Sequence, residues 1–237
     1  MKKIITSVCL LIVTVCNSQN KVKYPFWSFH DDSTTICGIS AGLNLNMANE
    51  VKVNGINLEV LGLGGLSFML PRIPNALDSL EYSKAIELQP PVQVNGVNLS
   101  PFGSLFACNV NGLNLGMIGT YIPKMNGVSL TAMQGFSDRV NGVQAVGVIN
   151  VVSKLNGAQL CVYFNVSNIE SNGVQLGAAN FAKNHKGVQI GAINKAADLR
   201  GFQFGIWNVN GRRTLPFINW QFKDKKVERT FWFEKHV

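Results

Sequence analysis

Along the second half of the chain, apolar and polar positions alternate in short bursts. Val188, Ile190 and Ala192 alternate with Gln189 and Gly191, and Phe202, Phe204 and Ile206 alternate with Gln203 and Gly205. A period of two, carried by β-branched and aromatic residues, predicts strands whose apolar face is buried. A helix does not fit this period, and the Gly in every burst weakens one by about 1 kcal/mol.

The bursts recur. They align on the glycine of an Asn-Gly-like step at Gly55, Gly96, Gly112, Gly127, Gly142, Gly157, Gly173, Gly187 and Gly201, the last eight spaced 16, 15, 15, 15, 16, 14 and 14. In the later units each burst closes on an asparagine, at Asn150, Asn165, Asn180, Asn194 and Asn208, spaced 15, 15, 14 and 14, followed by a polar connector such as KNHK or ADLR. A polar residue two places after each glycine forms a row: Asn57, Asn98, Asn114, Ser129, Gln144, Gln159, Gln175, Gln189 and Gln203. This row is a candidate polar face, with Gln144, Gln159, Gln175, Gln189 and Gln203 its most regular part. It would offer amide hydrogen bonds to sugars, or only stabilise the stack, as amide ladders do in cross-β structures.

Two all-β architectures use such a unit. In a β-solenoid each unit is one coil, and identical residues stack about 4.8 Å apart in parallel register. In an antiparallel up-and-down barrel of the outer membrane each unit is one strand plus a turn. The connectors here are all alike, whereas membrane barrels alternate short turns with long loops. The expected fold is therefore a β-solenoid of 14–16-residue units with a C-terminal hairpin cap. The barrel is the alternative, which the apolar outer positions Ile193 and Trp207 would suit.

The array has limits. Residues 1–18 read as a signal peptide: Lys2 and Lys3 precede an apolar run from Ile4 to Val15, and Ser18 precedes a cleavage point at Gln19. That run is shorter than the ~20 residues a membrane helix needs. Residues 19–54 form an aromatic lead-in or cap, 55–95 the first unit and a long insertion, 96–210 the repeat array, and 211–237 the cap. Within the insertion, Ile56–Leu70 alternates as an extended strand and Asn75–Leu88 suits a short helix; PRIP and QPP mark surface loop. In the cap, LPFINWQF and VERTFWFEKHV read as two aromatic strands joined by a charged turn.

Charge narrows the partners. Losing Lys2 and Lys3 lowers the formal charge from +8 to +6. From Lys183 to Val237 there are 11 Lys/Arg against 4 Asp/Glu, whereas from Gln19 to Ala182 there are 8 against 9. The basic end could face an anionic surface or simply solubilise a rim. Export fits poorly with nucleic acid.

Candidate chemistry is sparse. Cys37, Cys108 and Cys161 are far apart and odd in number, which supports neither a zinc site nor a disulfide framework. His185 falls in a connector, His236 near the end, and His30-Asp31-Asp32 would put neighbouring ligands on opposite faces of a strand. GLGGL at Gly62–Leu66 lies in a predicted strand and lacks the context of a phosphate loop. No catalytic, cofactor-binding or metal-ligating residue is assigned.

The units GVQLGAAN, GVQIGAIN and GFQFGIWN, ending in LPFINWQF, resemble an exported bacterial surface-repeat family with tandem GVQIGLIN-like units, many of them from Bacteroidetes. The resemblance runs from about Gly96 to Phe222 and is most specific from Gly142 onward. It implies a repeat architecture and an envelope location, and neither an activity nor a ligand. The expected function is a non-enzymatic cell-envelope scaffold or interaction protein at the surface or in the periplasm. A minor channel is the alternative, and a polysaccharide-acting β-helix enzyme the remote one. Candidate partners are envelope polysaccharide, another surface protein, or a membrane.

Overall fold

The computed structural model describes residues 21–27, 33–42, 50–59, 92–104 and 108–222. The signal segment with Ser18 and Gln19, the His30 cluster, GLGGL, the Asn75–Leu88 helix, His236 and the final aromatic strand lie outside the described residues. So does all of the Ile56–Leu70 strand beyond Glu59.

The described chain is β throughout: β1 Lys21–Lys23, β2 Phe26–Trp27, β3 Thr34–Gly42, β4 Val51–Glu59, β5 Val92–Ser100, β6 Cys108–Gly116, β7 Gly119–Thr131, β8 Gln134–Val146, β9 Ile149–Cys161, β10 Phe164–Leu176, β11 Ala179–Ile190, β12 Ile193–Val209 and β13 Thr214–Gln221. From β3 to β12 every strand pairs with the next in parallel, glycine over glycine. Parallel in-register stacking of successive units is a β-solenoid. It rules out the antiparallel barrel.

Each full coil bends at three places, which β9 illustrates. The pairing skips Ser153, the backbone turns at Gly157 with φ of 135°, and Val162–Tyr163 form a bend before β10. The coil therefore has three short walls. The glycine is obligatory for two reasons. Its φ suits no L side chain, and a Cβ at Gly157 would run into the carbonyl oxygen of Gly142 one coil back. Every column glycine from Gly55 to Gly201 has φ between 130° and 144°. Gly38 belongs to the same column, paired with Gly55, although sequence alignment starts the array one unit later. Gly55 and Gly96 are 41 residues apart yet occupy adjacent rungs. The register of the stack is therefore unbroken between β4 and β5.

The interior holds one long apolar column. Ile36, Val53, Val94, Val110, Met125, Val140 and Leu155 stack in order, then Ser171, His185 and Leu199. His185 is thus an inward residue of β11, 1% exposed, and not part of a surface connector. The "connectors" are the second wall of each coil.

The expected orientation of the alternating wall is reversed. Gln189 is 0% exposed while Ile190 beside it is 41% exposed, and the other rungs follow suit. The polar row of Gln144, Gln159, Gln175, Gln189 and Gln203 lies inside, and the apolar residues flanking it face outward. The physical reason is a narrow interior whose polar groups satisfy one another, as the contacts below show.

An antiparallel strand caps the array, as expected, and its described partner is the strand before it. β13 turns back at Asn210–Arg213 and pairs antiparallel with β12, closing the exposed edge of the last coil.

Candidate functional site

The buried amides form ladders. Gln175 donates to Gln159 at 2.9 Å, Gln189 to Gln175 at 2.6 Å and Gln203 to Gln189 at 2.8 Å. Asn219 of the cap donates to Gln203 at 3.2 Å, and Arg213 Nε closes the series on Asn219 at 3.1 Å. On the facing wall Asn165, Asn180, Asn194 and Asn208 form a second ladder, each step 2.8 Å. The two walls are also tied across the interior. Asn180 and Asn194 donate to the carbonyls of Ile190 and Phe204, both at 2.9 Å, while Gln159 donates to Asn150 O at 2.8 Å. Asn180, Asn194 and Asn208 also reach back to the carbonyls of Gly177, Gly191 and Gly205, holding the bend between walls.

A third ladder is exposed. The asparagine before each column glycine donates to its counterpart one coil back, from Asn95 onto Asn54 through to Asn172 onto Asn156, at 2.7–3.1 Å. The sequence pattern does place these asparagines beside the glycines, and the repeat glycines and asparagines are brought together as expected of a stacked array. The Gln row is brought together too, but in the interior, where no sugar can reach it.

Titratable chemistry is equally enclosed. Burial pushes the Cys108 thiol well above its usual range, with the nearby Glu59 charge adding to this, and burial raises that of Cys161. Both are free thiols. His185 Nδ1 lies 3.1 Å from Ser171 Oγ, and desolvation lowers the imidazole to about 4. Hydrogen bonding to Lys186 at 3.0 Å lowers the exposed Glu170. Among the described residues no three His, Cys, Asp or Glu gather where they could hold a metal.

What faces outward is apolar on two of the three walls. On the wall after each glycine, one row runs Leu58, Leu99, Leu115, Leu130, Ala145, Leu160 and Leu176. On the wall after the bend, another runs Tyr121, Phe136, Val151, Val166, Phe181 and Lys195. The walls meet at a convex edge with Met117, Val162, Tyr163, Ile206 and Trp207 at its crest. A groove of 760 Å³ follows the leucine row where Ala132, Ala145 and Gly147 thin the edge. The remaining wall carries a mixed polar row: Lys124, Arg139, Lys154, Glu170, Asn184 and Asp198.

Of this apolar exterior, sequence reasoning found only Ile193 and Trp207, which are indeed exposed. A usable signal existed: the polar row holds amides and one serine, and no Lys or Glu in nine units. A solvated row would mix charges.

Fold and surface together define a parallel β-solenoid with an amide-laddered interior and two apolar outer walls. No family model, curated protein or solved structure matches the chain.

Proposed function

We propose that this protein is a non-enzymatic, exported repeat scaffold of a bacterial cell envelope, which works by presenting its outer walls to a partner. One observation carries the reading: amides are consumed inside the stack, while aliphatic and aromatic positions recur outward from rung to rung. Contiguous exposed apolar surface of this kind marks interaction sites. The basic N-terminus, the apolar run that follows it, and the likeness to surface-repeat proteins support export. An enzyme needs titratable groups converging in a cleft, and the described groups are enclosed or scattered. A polysaccharide partner can no longer use the Gln row, so an apolar partner fits better.

Fractionating the native host tests this. The chain is expected in the envelope or the medium, cleaved before Gln19. Recovery of uncleaved chain from the cytoplasm would overturn the reading.

A further inference from the structure

We propose that the leucine-bearing wall pairs two copies of this chain face to face and antiparallel, about a two-fold axis at the Ala145 rung. The inference rests on the scaffold reading above and names the partner of one wall.

The wall after the column glycine is apolar from end to end. Two outward rows run along it over the eleven strands β3 to β13, one from Ile39 to Trp220 and one from Ala41 to Ile218. Every position in both rows is aliphatic or aromatic, and Leu130, Leu176, Ile190 and Trp220 are 41–46% exposed. The other apolar wall is less uniform: Tyr121 donates to Asp138 at 2.7 Å, and its row ends on Lys195.

Area is the first argument. Ten steps of about 4.8 Å make the wall about 48 Å long, and strand segments of four to five residues make it about 15 Å wide. Pairing face to face then buries about 700 Å² on each copy, or about 1,400 Å² in all, within the ~1,200–2,000 Å² of a stable protein interface. Sheets pack in this way about 10 Å apart. The outward rows repeat at every rung, so a face that stays in step with them over the full length needs the same period. A second copy has it.

Symmetry is the second argument. In a fully overlapped antiparallel pair, the first strand of one copy meets the eleventh of the other, and the sixth meets itself. The sixth is β8, whose Ala145 is the small residue between Leu130 and Leu160. A side chain on the axis faces its own copy, so a small one lets the walls close. Leu130 of one copy then faces Leu160 of the other across the thinned middle of the groove. The antiparallel arrangement also separates the basic ends, where residues 183–222 carry six Lys/Arg against one Asp. A parallel pair would set those like charges side by side.

Sedimentation velocity and thiol cross-linking of the full chain test this. The chain is expected to sediment as a dimer. The double variant Leu130→Asp, Leu176→Asp should weaken self-association at least about a hundredfold, because it sets charges in the centre of the interface. Both sites are exposed in the single chain, at 42% and 46%, so its circular dichroism should match the parent. Ile206→Asp, at the crest beyond the wall, should leave the dimer unchanged. Ala145→Cys should be captured as a covalent dimer by a short bismaleimide. Phe204→Cys should not, because its own copy stands eight rungs or about 38 Å away. A monomer at micromolar concentration, a dimer that the double variant leaves intact, and capture of Phe204→Cys in place of Ala145→Cys would each overturn the inference. A monomer that floats with phospholipid vesicles would give the wall to lipid and overturn it as well. A monomer in the envelope sinks the pairing alone. Recovery of the uncleaved chain from the cytoplasm sinks the envelope reading itself.

Discussion

The coils before β8 and those after it occupy one continuous stack but fill it differently. The row that begins the first wall reads Thr120, Gly135, Asn150, Asn165, Asn180, Asn194 and Asn208. Upstream, Thr120 meets only the Thr131 hydroxyl, at 2.8 Å, and the facing ladder is short: Asn57 to Asn98 to Asn114 to Ser129, at 2.7–3.0 Å. Downstream, two long amide ladders are tied to each other's walls. The coil between is the seam. Gln144 Oε1 and Asn150 Oδ1 are buried there without a partner. Thus a backbone set by one glycine column accepts two side-chain solutions.

This contrast predicts unequal costs at equivalent positions. Asn194 donates to Gly191 O, Phe204 O and Asn208 Oδ1 and accepts from Asn180. Asn194→Ala should cost about 3–4 kcal/mol, since buried partners are left unpaired, and Thr120→Ala only about 1 kcal/mol. Urea unfolding of the two variants measures both, and equal losses would break the comparison.

Acid should separate the halves next. The upstream core column, from Val53 to Val140, holds no ionisable side chain, whereas the downstream column holds His185. Its folded value is near 4 against an ordinary 6.5. Above pH 6.5 the ring is neutral in both states and nothing is lost. Between 6.5 and about 4 only the unfolded chain takes the proton, so stability falls as pH falls, by about 3 kcal/mol in all. Hydrogen exchange should open β10–β12 first on acidification. His185→Leu, flanked in the column by Ser171 and Leu199, should remove that pH dependence.

The smallest effect concerns the outside. The exposed Asn ladder ends at Asn172, where the next position is Lys186, paired with Glu170. Both side chains are well exposed, so Lys186→Ala should change stability by no more than about 0.5 kcal/mol. A larger loss would show that the ion pair, rather than the interior, holds the downstream coils together.

The regular spacing of glycine and asparagine made the solenoid legible, because a backbone collision one coil apart forces the same residue at the same place. The antiparallel pairing of LPFINWQF with β12 was not legible for an equally local reason: LPFINWQF alternates like any strand, and nothing in it says that a strand before it is a partner. His185 was placed outside because KNHK is polar, although Lys183, Asn184 and Lys186 alone supply the polar surface there.

The sequence by itself determined that units of 14–16 residues stack, since period, glycine and amide rows repeat in the linear chain. Only the tertiary structure decided which side of the alternating wall faces in. Alternation marks two faces without assigning them to solvent. An isolated Gln prefers water; in a narrow coil its donors and acceptors are met by the Gln above, the Gln below and the opposite wall. That satisfaction exists only after stacking. It reverses the usual hydrophobic order and leaves apolar residues outside.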